Sequence, residues 1–104
     1  MNSPMPAEPA ITWLERGSQI IKPADVDVMI GFGWYKVGPL HSSAWQIKAG
    51  DGALRVASPG HDPYRSYVTL SGGTPGVQCV VENTVTYGAP GQRDAQACVV
   101  TVPR

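Results

Sequence analysis

The most constraining feature of the sequence is a run of alternating side chains between residues 77 and 87. Most of its odd positions are apolar, namely Val77, Cys79, Val81, Val85 and Tyr87, whereas most even positions are polar. This period of two predicts a half-buried β-strand and excludes an amphipathic helix. A second alternating run places Cys98, Val100 and Val102 on one face. The turn-forming residues 88–94 lie between the two runs, so the simplest arrangement is an antiparallel hairpin.

The chain before this hairpin predicts further short strands separated by turns. Residues 25–36 alternate so that Val26, Val28, Ile30, Phe32 and Trp34 share one face. Glycines at positions 31 and 33 predict a bulge or a close backbone approach, where we expect the strand to bend and leave the sheet. Residues 37–43 are predicted as a connection, and residues 44–49 as the next strand with Trp45 and Ile47 facing inward.

The strand pattern continues to the hairpin. Residues 54–56 predict a short strand, residues 58–63 a loop, residues 65–71 another strand, and the glycine-rich residues 71–76 a tight turn between sheets. The total is about seven strands with turn signals roughly every 8–12 residues, the pattern of a two-sheet antiparallel sandwich. The predicted fold class is therefore all-β, with no long helix.

The beginning of the chain differs in composition. The first ten residues, MNSPMPAEPA, carry prolines at positions 4, 6 and 9 and few side chains to bury, so we expect an arm that extends along a neighbour or is disordered in isolation. Residues 11–16 and 19–22 predict one edge strand or two short pieces, with a single helical turn as the competing interpretation. We divide the chain into a proline-containing arm with a possible edge strand (1–21) and a β-sandwich (22–104).

Length and charge argue against several classes of function. A chain of 104 residues predicts one domain, and its 12 glycines and 10 prolines favour short strands joined by turns. Eight basic residues balance eight acidic ones, which gives no electrostatic reason to bind nucleic acid or an anionic membrane. No apolar run approaches the ~20 residues of a membrane span. The first residues lack the features of a secretory signal, so we expect synthesis and assembly in the cytosol.

Few residues could act in catalysis or bind a metal ion or a phosphate. His41, His61 and Asp62 are the only candidates for acid–base or metal work, and two separated histidines with one aspartate do not supply the three or four ligands that a metal needs. We interpret Asp62, which precedes Pro63, as a turn residue. Residues 71–76 lack the Gly-Lys-Ser/Thr ending of a phosphate loop. We therefore expect no catalytic residues, no metal and no cofactor.

Two further pairs are better explained by structure. Asp25 and Asp27 are typical of a solvated strand edge. Cys79 and Cys98 lie on the inward faces of neighbouring predicted strands, where a cross-strand disulfide is geometrically conceivable. The alternative is two buried thiols that act as small hydrophobic residues, as expected in a reducing compartment.

Several motifs, taken in order, resemble a family of small tailed-bacteriophage virion proteins described as fibre–tail adaptor-like proteins. The resemblance covers residues 22–102. It rests on Lys22-Pro23-Ala24-Asp25 with a strand ending at Trp34, on Ser42-Ser43-Ala44-Trp45, on Leu70-Ser71-Gly72-Gly73-Thr74 with Gly76, on Val81-Glu82-Asn83, and on Gly91, Arg93 and Asp94. This chain departs from the family pattern at Cys79, Cys98, Gly31 and Gly33.

The resemblance implies an immunoglobulin-like antiparallel β-sandwich and a non-enzymatic structural protein of a tailed-phage virion. Such a protein would dock tail or tail-fibre components as one of multiple copies in a symmetric assembly, with tail tube, neck or fibre subunits as partners. The predicted partner-binding residues are Trp13, Leu14, Ile20, Ile21, Tyr64 and Pro75. For Ile20 and Ile21, packing within the protein itself is an equal alternative. The alternative functions are capsid decoration and carbohydrate binding at the host surface.

Overall fold

The protein, described here from a computed structural model over residues 10–50, 52–89 and 91–104, is built from β-strands in two four-stranded sheets. No helix in these ranges is long and apolar enough to cross a membrane. The strands are β1 (Ile11–Leu14), β2 (Gln19–Ile21), β3 (Val28–Gly33), β4 (Leu40–Ala49), β5 (Leu54–His61), β6 (Arg65–Gly72), β7 (Gln78–Tyr87) and β8 (Gln92–Thr101). The prediction of an N-terminal arm falls largely on residues 1–9, which lie outside the described residues.

The strand order separates the chain into two layers. The first sheet has the order β1-β3-β6-β5, and the second has the order β2-β8-β7-β4. The predicted hairpin of β7 and β8 is confirmed, as is the sheet-to-sheet turn after β6. The all-β sandwich prediction is thus confirmed, with eight strands in the described residues rather than about seven. The immunoglobulin-like detail stays a prediction.

The segment before residue 22 contributes an edge strand to each sheet. β1 pairs in parallel with β3, and β2 pairs in parallel with β8, so the sandwich is not wholly antiparallel. A turn at residues 17 and 18 carries the chain between the sheets, where the Gly17 amide donates to the Ala97 carbonyl at 2.9 Å and the Val99 amide donates to the Ser18 carbonyl at 2.8 Å. Of the interpretations left open by the sequence, two short strands are correct. The proposed division at residue 22 remains a prediction.

The core lies between the inner faces of the two sheets. Alternation along each strand directs apolar side chains into this space, where burial of apolar surface is the main stabilising contribution. The predicted inward positions of β7 and β8 are confirmed. The buried cluster consists of Ile30, Phe32, Trp34, Leu40, Trp45, Leu54, Val68, Leu70, Cys79, Val81, Val85, Cys98 and Val100.

The strand predicted at residues 25–36 is shorter in the structure. β3 spans Val28–Gly33, and the Val26 amide closes a turn on the Pro23 carbonyl at 3.2 Å. The prediction that Val26 faces the core is therefore wrong, because this turn leaves its side chain exposed. β3 keeps a regular antiparallel register with β6 through Gly33, so no bulge occurs at Gly31, and the strand leaves the sheet after Gly33, within the segment 31–33 where this was expected. The other expectation for Gly31, a close approach, is correct and is described below.

Two predicted connections are partly strand. β4 begins at Leu40 rather than at residue 44. Leu40 already pairs with Tyr87 of β7, and the pairing continues from Ser42 after a shift in register. β5 extends to His61 through most of the predicted loop at residues 58–63, and a register shift between Ala57 and Gly60 accommodates Pro59. A proline is tolerated there because β5 is an edge strand, and edge strands need not donate every amide to a ladder.

A buried hydrogen-bond network joins the two sheets. Asn83, fully buried on β7, accepts from the Trp34 indole N–H at 2.9 Å and donates to the Ser43 hydroxyl at 2.9 Å. Ser43 is hydrogen-bonded to Ser66, which accepts from the Trp45 indole N–H at 3.1 Å. Trp34, Ser43, Trp45 and Asn83 of this network belong to the motifs on which the family resemblance rests. Their role is therefore to satisfy the polar groups of two buried tryptophans.

Lys22 ties the second sheet to the turn after β6. Its side chain is fully buried, and its Nζ donates to the Gly72 carbonyl at 2.6 Å and to the Pro23 carbonyl at 2.8 Å. Buried charged groups require hydrogen-bond partners, and two main-chain carbonyls fill that role here. The lysine of the Lys22-Pro23 motif thus has a structural function.

The cysteines are free and buried. Cys79 lies opposite Val100 and Cys98 lies opposite Val81, so the two thiols occupy diagonal rather than directly opposed positions. Burial raises the pKa of the Cys98 thiol to about 11. The structure therefore agrees with the interpretation of two buried thiols.

Candidate partner-binding surface

The outer face of the first sheet carries aromatic rings placed over glycines. One row across its four strands pairs Trp13 with Gly31, Gly31 with Tyr67, and Tyr67 with Gly60. A Cβ added at Gly31 would lie 2.4 Å from Trp13 Cζ3, and one added at Gly60 would lie 2.5 Å from Tyr67 Cε2. The missing side chains leave space in which the neighbouring rings lie flat on the sheet.

A third aromatic ring lies over a glycine at the end of β3. A Cβ added at Gly33 would lie 2.7 Å from Tyr35 Cε2, so the Tyr35 ring rests on this glycine. Tyr35 is also stacked against Tyr64, with ring centroids 6.2 Å apart. The Arg65 guanidinium lies 5.2 Å from the centre of the Trp13 ring, within the range of a cation–π interaction. Trp13, Tyr35, Tyr64 and Arg65 together form what we call the aromatic surface.

The aromatic surface is exposed, yet its supports are ordered by hydrogen bonds. Trp13 and Tyr64 are each 43% exposed and Tyr35 is 68% exposed, although large apolar rings are usually buried. The Trp34 amide donates to the Tyr64 carbonyl at 2.7 Å, and the Leu40 amide donates to the Pro63 carbonyl at 2.8 Å. These two bonds hold the loop that carries Tyr35 against the turn that carries Tyr64.

Asp62 orders the turn between β5 and β6. Its carboxylate accepts from the Tyr64 amide at 2.9 Å and from the Arg65 amide at 2.8 Å, and it forms a 2.8 Å ion pair with Arg65. Partial burial acts to raise the pKa of Asp62, but these amides and the guanidinium hold that pKa below its usual value. The prediction of Asp62 as a turn residue is correct, and the same carboxylate orients the guanidinium beside Trp13.

A groove of about 590 Å³ adjoins the aromatic surface. Its walls are residues 13–16 of β1 and the following turn, residues 33–37 after β3, and Asp94 and Gln96 of β8. Arg16 and Asp94 form a 3.7 Å ion pair on one wall. Trp13 and Tyr35 belong to both the groove and the aromatic surface, so the two form one continuous concave region.

The structure brings together only some of the predicted partner-binding residues. Trp13 and Tyr64 lie on the aromatic surface, and Leu14 lines the groove while packing against the core. Ile20 is half-buried against the core, which accounts for it within the fold. Ile21, 72% exposed, pairs with Thr101 near the opposite end of β8.

Pro75 is exposed in the turn after β6, at the end of the sandwich remote from the aromatic surface. Sequence reasoning missed Tyr35 and Arg65, which lie beside the predicted residues. The signal was available in Gly31 and Gly33, because glycines within a strand indicate that something approaches the sheet closely.

The two histidines considered for chemistry lie on the protein surface. His41 is exposed on β4 and His61 is exposed at the end of β5. Within the described ranges, no three His, Cys, Asp or Glu side chains form a group that could hold a metal ion.

Comparison with known proteins identifies a matching family and a structure of similar fold. The family model described as "Podophage GP4 fiber-tail adaptor protein gp77" matches residues 23–101. The crystal structure of the cysteine protease inhibitor EhICP2 from Entamoeba histolytica is similar in fold, with a TM-score of 0.54 and 12% identity over 93% of this chain and 99% of that chain. No curated protein sequence matches the chain.

Proposed function

The chain belongs to the family of podophage GP4 fiber-tail adaptor proteins gp77, and we propose that it is a structural virion protein that docks tail or tail-fibre components. The observation that carries this proposal is the family match, which covers nearly the whole sandwich. The docking elements we propose are the aromatic surface, the adjoining groove and the N-terminal segment. Partners would be tail tube, neck or fibre subunits, with several copies of the chain in each particle.

The aromatic surface supports a binding role on physical grounds. Exposed aromatic rings and arginine are enriched at the energetic centres of protein interfaces. Here a glycine lies beneath the Trp13 ring, and main-chain hydrogen bonds hold the loop and the turn that carry Tyr35 and Tyr64, so little backbone entropy remains to be lost on binding. The remaining predicted residues, Ile21 and Pro75, would then belong to a second contact at the other end of the sandwich.

The test is complementation of a phage that lacks this gene. We expect the wild-type chain to be incorporated into purified particles, and Trp13→Ala with Tyr64→Ala to reduce the fibre protein per particle. Val26→Ser is the matched control, because Val26 is also an exposed apolar residue but lies at the opposite end of β3. Ile21→Ser and Pro75→Ser test the second contact separately. Absence of the wild-type chain from purified particles would refute the proposal.

The alternative functions of capsid decoration and carbohydrate binding share one supporting observation. Exposed rings such as Trp13 and Tyr64 offer apolar faces to any flat apolar ligand surface, including a sugar. A titration with host surface polysaccharide, monitored through the Trp13 indole resonance, distinguishes carbohydrate binding from the adaptor function. Saturable binding to the polysaccharide, together with unchanged fibre content in particles that carry Trp13→Ala, would favour the carbohydrate function.

A further inference from the structure

We infer that the groove beside the aromatic surface binds the proline-containing N-terminal segment, residues 1–9, of a second copy of this chain. The inference rests on the proposed docking function and names an occupant for its surface. It follows from the chemistry of the groove, from the chemistry of the segment, and from the direction in which β1 enters the sheet.

The groove has the chemistry that recognises proline-rich peptides. Such peptides bind to grooves lined by aromatic rings, because the stiff polyproline II conformation presents proline rings at little entropic cost. Trp13 and Tyr35 line the groove, and each ring is supported from beneath by a glycine. The Trp13 ring, which also contacts Arg65, is thus positioned on the sheet before any ligand binds, whereas the more exposed Tyr35 ring can adjust to the ligand.

The N-terminal segment has the matching composition. Residues 4–9 read Pro-Met-Pro-Ala-Glu-Pro, and the last four have the Pro-x-x-Pro spacing of polyproline ligands. Nine residues in this conformation would span about 28 Å, enough to cross the groove of a neighbouring molecule.

The charges are complementary as well. Glu8 is the one charged side chain in the first ten residues. On the groove side, Arg16 is paired with Asp94, and Arg65 is paired with Asp62. Lys36 and Glu15 both line the groove and have no ion pair within the described residues, so the Glu8 carboxylate would be placed beside Lys36 and away from Glu15.

The direction of β1 favours a second copy over the chain's own groove. β1 runs from Ile11 towards Leu14, and the groove begins at Trp13, so residues 1–9 precede the end of β1 that is remote from the groove. Binding in the same molecule would require the chain to reverse at residues 9 and 10. Pro9 fixes its own φ, and Glu8 before it is restricted to extended conformations, so such a reversal is disfavoured. A head-to-tail contact between copies needs no reversal and forms a closed ring if the rotation permits.

The test uses the full-length chain, labelled with ¹⁵N, and a synthetic peptide of residues 1–10. We expect a saturable shift of the Trp13 indole resonance and no shift of the Trp45 indole, which is hydrogen-bonded in the core and does not line the groove. The control peptide carries serine in place of the three prolines and should bind about tenfold more weakly or worse. An unchanged Trp13 resonance, or equal binding of both peptides, would overturn the inference.

Sedimentation of full-length variants tests the second copy. Self-association of the wild-type chain should weaken about tenfold in Tyr35→Ser and in Lys36→Glu, and it should be unchanged in Val26→Ser. A wild-type chain that stays monomeric at all concentrations would overturn the inference. Both experiments are independent of the particle. If they fail while the chain is still incorporated into virions and still recruits fibres, the adaptor function stands and only the occupant of the groove is wrong.

Discussion

The support of Trp13 by Gly31 leads to a prediction that contrasts two neighbouring glycines. In Gly31→Ala the new Cβ would lie 2.4 Å from the Trp13 ring and 2.7 Å from the Ser66 carbonyl oxygen. The ring could move, but the carbonyl is held by the pairing of β3 with β6. In Gly33→Ala the Cβ would meet the ring of Tyr35 alone, at 2.7 Å, and that ring is 68% exposed and can rotate into solvent.

The magnitudes follow from this difference. Overpacking that strains a backbone costs about 1–3 kcal/mol, whereas replacing a strand glycine by alanine regains roughly 0.5–1 kcal/mol. With the middle of each range, Gly31→Ala should lower the free energy of unfolding by about 1 kcal/mol, which lowers Tm by roughly 4–8 °C for a domain of this size. Gly33→Ala should leave the free energy of unfolding within about 0.5 kcal/mol of the wild-type value or raise it.

The assay is urea denaturation followed by circular dichroism, with thermal scans on the same proteins. A double variant, Trp13→Ala with Gly31→Ala, removes the contact with the ring but retains the contact with the carbonyl. The loss in the free energy of unfolding caused by Gly31→Ala should therefore be smaller when Trp13 is already alanine, but it should not disappear. Equal destabilisation by Gly31→Ala and Gly33→Ala, or a neutral Gly31→Ala, would refute the idea that β3 carries Gly31 to make room for the ring.

Four other predictions follow from buried or hydrogen-bonded groups. Asn83→Ala should cost about 3 kcal/mol in urea denaturation, because it leaves the Trp34 indole N–H without an acceptor, and combining it with Trp34→Phe should cost less than the sum of the single changes. Lys22→Met keeps the aliphatic stem but removes a donor to two carbonyls, so the free energy of unfolding should fall by about 1–3 kcal/mol; an unchanged value would contradict this role. Cys98, whose pKa is raised to about 11, should resist a disulfide reagent at mildly alkaline pH in the folded protein and react once urea unfolds it, and rapid labelling of the native protein would count against its burial. Because folding lowers the pKa of Asp62, its ionised carboxylate stabilises the protein at pH values above the ordinary pKa of 3.8, and this stabilisation is lost as the pH falls through the lowered pKa. Acid should therefore reduce the free energy of unfolding more in the wild type than in Asp62→Asn, and parallel plots of that free energy against pH would argue against the effect.

The sequence determined the strands of the second half of the chain and the class of the fold. Alternation is a local property, and a one-residue shift would move every side chain to the opposite face, so the buried positions of β7 and β8 could be identified directly. The ordered motifs led to the family for a related reason. Trp34 and Asn83, two of the motif positions, are hydrogen-bonded in the buried network, so replacing either one leaves a buried polar group without its partner.

The tertiary structure decided what the local pattern could not. Pairing partners are set by contacts distant in sequence, so alternation could not show that β1 and β2 would join different sheets in parallel, nor that Val26 would face solvent. The aromatic surface has the same origin, because its rings come from β1, from the loop after β3 and from the turn after β5. Trp13 and Tyr64 were predicted from the sequence, but nothing in the sequence placed Tyr35 and Arg65 beside them. They become a surface only because the pairing of β1, β3, β6 and β5 in the first sheet brings them to one end, where glycines leave space for the rings.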